Sequence, residues 1–188
     1  MECKEEKNIK TFEPTISTRD SIKRVERVGL FKRLTRRGNS ELLRGIESKL
    51  VYYPFWFFTF DVRVHRAFRL PDKKVMIPVA VDAVSGKAGF LEANLGALVD
   101  KTVEKPYIIP YTVEYSNAVN IAEQFCKLYV NREYHPFSLP DYILMEYQLI
   151  HPPYFAVNST NEPADQHFLV LVNGITGSVE QKEEILLD

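Results

Sequence analysis

The sequence predicts an α+β protein built as a tandem duplication of a helix plus antiparallel β-hairpin/sheet unit, with the helix packed on one sheet face. Three observations predict it. Stretches of the chain match one another in order, one segment carries a helix-period apolar face, and several carry strict apolar–polar alternation.

The internal matches set the domain organisation. Glu13-Pro14-Thr15-Ile16 and Ile109-Pro110-Tyr111-Thr112-Val113 are both proline-led extended stretches that feed a helix start. Lys49-Leu50-Val51-Tyr52-Tyr53-Pro54-Phe55-Trp56 is matched by Gln148-Leu149-Ile150-His151-Pro152-Pro153-Tyr154-Phe155. Val81-Asp82-Ala83-Val84-Ser85-Gly86-Lys87 is matched by Val172-Asn173-Gly174-Ile175-Thr176-Gly177-Ser178. The offsets are 97 from Ile16 to Val113, 99 from Leu50 to Leu149 and 91 from Gly86 to Gly177. Near-constant spacing divides the chain into an N-terminal tail (1–11), a first α+β repeat (12–92), a connector (93–108) and a second α+β repeat (109–188).

Each repeat opens with a helix. In the second, Ser116 or Asn117 supplies a cap, and Ala118, Ile121, Ala122, Phe125, Leu128 and Tyr129 share a face of period 3.6, with a stop near Asn131. In the first, Ile22, Val25, Val28, Phe31 and Leu34 support a helix over 18–37 with a break near Gly29, ended at Gly38-Asn39. Strands follow. Phe58, Phe60, Val62 and Val64 alternate with Thr59, Asp61, Arg63 and His65, and Val75, Ile77, Val79 and Val81 form the next stripe. Pro78 within that stripe cannot donate to a ladder, which predicts an edge or a bulge. The turn at Asp82–Gly86 lets Lys87–Glu92 pair back. The second repeat gives a strand region over Tyr142–Val157, a polar loop at Asn158–Gln166, a strand over Phe168–Val172 and a turn at Asn173–Gly177.

A chain of 188 residues buries enough surface to need no staple. The net charge of -1 excludes a global field drawing it to nucleic acid or membrane. The longest apolar run, Tyr52–Phe60, falls short of the roughly 20 residues of a membrane helix. Two cysteines, Cys3 and Cys126, and a charged N-terminus with no apolar stretch behind it predict a cytoplasmic address without a signal peptide.

At the turns the chain resembles the PepSY family of small α+β modules. Val81-Asp82-Ala83-Val84-Ser85-Gly86-Lys87 is similar to the pattern that closes the family's final hairpin, Val172–Ser178 is similar to it more loosely, and Ser116–Phe125 resembles the family's helix. The resemblance covers both repeats. It implies a non-catalytic module of the kind found in propeptides and protease regulators, with no catalytic residues to carry over.

A search for chemistry agrees with that implication. The chain has no nucleophile-elbow, dinucleotide or phosphate-loop motif, and Gly86-Lys87 is followed by Ala88. His65, His135, His151 and His167 lack metal-ligand spacing, and His151, at the place matching Tyr52, reads as packing. Asp61 with Asp82, or Asp141 with Glu146, are the available carboxylate pairs, and turn duty accounts for Asp82 and Asp141. No catalytic residue, cofactor or metal is expected.

Two features point to partners. From Arg19 to Arg44 nine Lys and Arg stand against three acids, among them Arg24, Arg27, Arg33, Arg36 and Arg37. Such a segment meets phosphates, anionic lipid or an acidic protein face, or is a solvated helix face paired with the acidic C-terminus at Glu180, Glu183, Glu184 and Asp188. The aromatic run Tyr52–Phe58 puts large rings on both sides of a strand, which requires core, inter-lobe or dimer packing, or a binding surface. The candidate interaction surface is therefore Tyr53, Trp56 and Tyr154 with those five arginines. The expected function is non-catalytic protein interaction or regulation, with an unidentified protein partner and a homodimer as second reading. A nucleic-acid accessory using the basic helix over 19–44 and small-ligand binding in an aromatic inter-lobe cleft are the alternatives.

Overall fold

The structure, a computed structural model, describes residues 5–35, 42–67, 70–90, 96–162 and 166–180, and the side chains at 29–35, 42–44, 161–162 and 166–168 lie outside the description. Within it run β1 (Glu6–Phe12), α1 (Thr18–Thr35), β2 (Leu42–Tyr52), β3 (Phe55–Val64), β4 (Lys73–Asp82), β5 (Ala88–Phe90), β6 (Leu98–Glu104), a 3-10 turn at Lys105–Tyr107, α2 (Tyr115–Tyr134), β7 (Asp141–Ile150), β8 (Pro153–Glu162), β9 (Gln166–Asn173) and β10 (Val179–Glu180). The architecture is mixed α+β, mostly sheet, in three antiparallel sheets: β1-β6, β10-β9-β8-β2 and β5-β4-β3-β7.

The chain divides into two compact units that cut across the stretches 12–92 and 109–188. The first unit comprises Met1–Tyr53, Leu95–Ile109 and His151–Asp188, and the second Pro54–Asn94 and Pro110–Ile150. The first strand of one half therefore shares a sheet with the hairpin of the other. In the first unit β2 pairs with β8, so that Lys49 faces Ala156 and Leu50 faces Phe155. In the second, β3 pairs with β7, Asp61 facing Ile143. Periodicity in β3 and β4 is as read from the sequence, but periodicity carries no information on which sheet receives it.

The two four-stranded sheets share several local features. Asp82 Oδ1 accepts the amides of Val84 and Ser85 at 2.9 and 3.0 Å. Asn173 Oδ1 accepts those of Ile175 and Thr176 at 2.9 and 3.1 Å. Gly86 and Gly177 close these turns, both at φ 71°, where a side chain would be strained. The proline-led stretches dock on the same turns. The amides of Thr15 and Ile16 donate to the Gly174 carbonyl, and those of Thr112 and Val113 to the Ala83 carbonyl. Both first strands carry a bulge at a matching place, leaving out Ile46 in β2 and Met145 in β7.

In the second unit the core is one layer between α2 and the sheet. Phe58, Phe60, Val62 and Val64 meet Ile77, Val79 and Val81 beneath Ala118, Ala122, Cys126 and Val130. Burial of these side chains is the main stabilising term, roughly 1.5–3 kcal/mol for each large one. The first unit's core is Val25, Phe155, Val157, Val170 and Val172. Pro78 stands in β4 opposite Thr59, one residue beyond the last described pair with β5, Val79 with Phe90.

Several elements differ from the sequence reading. The stretches read as tail and connector form β1 and β6, paired from Glu6–Glu104 to Phe12–Leu98. Ile9 and Val103 pack with Tyr52, which is reason enough for two largely polar segments to become strands. Helix α1 passes Gly29 unbroken, and the expected stop at Gly38-Asn39 lies outside the described residues. Helix α2 is capped at Glu114 without a side-chain bond, not at Ser116 or Asn117, and runs to Tyr134, where His135 turns left-handed at φ 43°. Its buried row is Ala118, Ala122, Cys126 and Val130, an i, i+4 series that leaves Leu128 71% exposed. The strand read over Tyr142–Val157 is two strands broken at His151-Pro152, and β8 continues through Asn158, where a loop was expected.

One glycine sets the packing of α1. A Cβ at Gly45 would stand 2.9 Å from Ile22 Cγ2 and 3.3 Å from Val157 Cγ1, so its absence lets the helix lie close on β2. The matching place in β7, next to the bulge, is Leu144, and α2 lies over β3, β4 and β5 instead. Replacing Gly45 with Leu should lower stability by about 1–3 kcal/mol through overpacking against Ile22. The urea midpoint reads this directly, and an unchanged midpoint would show that α1 does not depend on the close approach.

Candidate functional site

The residues singled out for chemistry have structural duties. Asp82 holds a turn, and on β3 Asp61 lies six residues along from Phe55, the register partner of Asp82, a separation of about 20 Å. Asp141 and Glu146 stand five residues apart on β7, about 15 Å, which leaves neither carboxylate pair assembled. Cys126 is buried in the α2 row, and burial pushes its thiol up to about 11, so no thiolate forms near neutrality. Among the described residues no group of three or more His, Cys, Asp or Glu is placed to hold a metal ion.

The histidines fall in separate surroundings. His65 lies between two carboxylates, Nδ1 3.2 Å from Asp72 and Nε2 3.5 Å from Asp141. Beside it Asp61, Arg63, Lys74, Asp141 and Ile143 line a shallow cavity of about 170 Å³ on the outer face of the second unit's sheet. His151 is 3% exposed, and among the described residues neither ring nitrogen has a hydrogen-bond partner. Its backbone is tied to β1: its amide donates to the Lys10 carbonyl at 2.8 Å, and Thr11 Oγ1 donates to its carbonyl at 2.7 Å. Burial, with Lys7 nearby, lowers the imidazole pKa to about 4.

Two residues of the expected interaction surface are interior. Tyr53 and Tyr154 are 0% and 3% exposed, with ring centroids 5.5 Å apart in the first unit's core. Trp56 is half-buried in the second unit, its indole N–H donating to the Val113 carbonyl at 2.9 Å and its ring meeting Tyr111 and Tyr115 edge-on. Tyr53 and Tyr154 are thus buried and present no outer surface, whereas Trp56 keeps part of its ring exposed. Arg24 is also committed. Its guanidinium donates to the Gly177 carbonyl at 3.2 Å, where Ile121 approaches Gly86 in the other unit. Arg27 is exposed, the Arg33 side chain lies outside the described residues, and so do Arg36, Arg37 and the C-terminal acids beyond Glu180.

A different surface stands out. Between the end of α2 and the middle of β7, Phe137, Leu139, Ile143, Met145 and Tyr147 are 77, 90, 56, 58 and 55% exposed. Two causes combine. Helix α2 lies mainly over β3–β5 and meets β7 through Tyr142, Leu144 and Tyr147, and the bulge in β7 falls at the exposed Met145. The Tyr147 ring reaches back to Tyr115 of α2 at 4.6 Å, and Lys127 stands 5.8 Å over the Tyr142 ring. The sequence held a signal for this. Tyr142-Ile143-Leu144-Met145 is apolar at successive positions, which puts large side chains on both faces of the strand.

The lowered His151 pKa has a measurable consequence. Between about pH 6.5 and pH 4 the unfolded chain takes up a proton that the folded chain refuses, so stability falls as the pH falls through that window. Thermal melts of wild type and His151→Leu across it should show the wild type losing more stability, and parallel curves would contradict the buried neutral imidazole. No protein-family model, curated protein or solved structure matches the chain.

Proposed function

We propose that the chain is a non-catalytic protein-interaction or regulatory module built from two PepSY-like repeats, and that its contact surface is the α2–β7 flank of the second unit. One observation carries the reading: Phe137, Leu139, Ile143, Met145 and Tyr147 are all more than half exposed within one continuous segment. Single exposed apolar residues are ordinary on a protein surface, but several so close along the chain are unusual, and large exposed apolar surface favours an interaction site. Covering it removes apolar area from water at about 25 cal/mol per Å².

The non-catalytic part of the reading rests on where the reactive groups are spent. Asp82 accepts two turn amides, Cys126 is a raised-pKa thiol in a helix core, and His151 is enclosed. The duplication is supported by the paired turns, the paired bulges and the paired docking of the proline-led stretches. The arginines offer less to a nucleic-acid reading, since Arg24 holds the Gly177 carbonyl.

The test is a surface variant, Phe137→Asp with Leu139→Asp and Met145→Asp, compared with wild type as immobilised bait in nuclease-treated lysate. All three side chains face solvent, so the unfolding midpoint should move by less than about 0.5 kcal/mol in free-energy terms. A stoichiometric protein retained by wild type and lost from the variant is the expected outcome. Identical sets of bound proteins on both would contradict this surface.

A further inference from the structure

The links between the two units bear on self-association, independently of the α2–β7 flank. Strands β2 and β3 are consecutive and separated only by Tyr53 and Pro54, a length that ordinarily closes a β-hairpin. Here the link stays extended. Pro54 has no amide to donate and confines Tyr53 to extended backbone. The Tyr53 amide donates to the Pro152 carbonyl at 3.1 Å, and the Pro54 carbonyl accepts the Ala83 amide at 3.1 Å. His151-Pro152 joins β7 to β8 in the same way, and the Pro153 carbonyl accepts the Gly174 amide at 2.8 Å.

A chain that cannot turn back at either link must give its next strands to another helix-and-strand unit. Within one chain, each half receives from the other: β2 takes β8–β9, and β7 takes β3–β4. Nothing in those pairings distinguishes the chain's own second half from that of another copy. Only the tether does, by holding the partner half at an effective concentration on the order of millimolar. We propose that a second copy of this chain replaces the tethered half, so that the β2–β8 and β3–β7 ladders form between copies and two chains close into a reciprocally exchanged dimer. Such exchange buries no surface beyond what the monomer buries, which makes it a low-cost route to a dimer.

The experiment uses two full-length chains, each with Cys3→Ser and Cys126→Ala. One carries Glu47→Cys in β2 and the other Asn158→Cys in β8, positions that face each other in the ladder. The two are unfolded together, refolded over a range of concentrations and then oxidised, and co-expression in one cell provides the same pairing without refolding. The expected result is a disulfide-linked heterodimer, of twice the monomer mass by light scattering, that rises from a trace at about 10 μM towards the monomer level near the millimolar effective concentration. Folded chains mixed afterwards should give about tenfold less. Monomer alone at every concentration would overturn the proposal, as would E47C–E47C dimers forming as readily as the mixed pair.

Discussion

The arrangement depends on two short links that do not turn. Tyr53-Pro54 and His151-Pro152 are long enough for a hairpin, yet proline removes a donor, fixes one dihedral and keeps the preceding residue extended. Each link is then pinned by a backbone hydrogen bond, Tyr53 to Pro152 and Gly174 to Pro153. Every later feature follows from the strands being sent onward. Because β3 leaves β2, the first half's hairpin completes the second half's sheet, and because β8 leaves β7, the reverse holds. Neither half on its own contains a finished four-stranded sheet with its helix.

Against this shared framework the differences between the units become informative. At one place beside the bulge β2 carries Gly45 and β7 carries Leu144. The glycine admits Ile22 to within contact of the strand, so α1 covers β2. Around Leu144 the helix sits over β3–β5, and β7 keeps an apolar flank that its own helix leaves open. The first unit spends further side chains on closure: Arg24 on the Gly177 carbonyl, and β1 with β6 on Tyr52 and His151. That contrast between the two units is what supports the proposed contact function.

Much of the fold was legible locally. Alternation from Phe58 to Val64 and from Val75 to Val81 placed β3 and β4, and the Asp-x-x-x-Gly and Asn-x-x-x-Gly turns were marked by residues whose side chains hold backbone amides. What stayed hidden was non-local. Nothing within Glu6–Phe12 or Leu98–Glu104 says that the two pair, since each offers few apolar side chains until the other is beside it. The destination of each hairpin was equally invisible, because strand period is the same in any sheet. The prolines at 54, 152 and 153 were the available clue, read as part of a match and not as a bar to turning. The site was least legible. Tyr53, Trp56 and Tyr154 drew notice for their size and are packed for the same reason, whereas Phe137 and Leu139 lie in a segment without periodicity.

The central claim is that strands pair across the two halves of the chain. Nuclear Overhauser contacts between backbone protons test it most directly. Cross-strand contacts are expected between Lys49 and Ala156 and between Asp61 and Ile143, with none joining β2 to β3. Hairpin contacts between β2 and β3, or between β7 and β8, would contradict it.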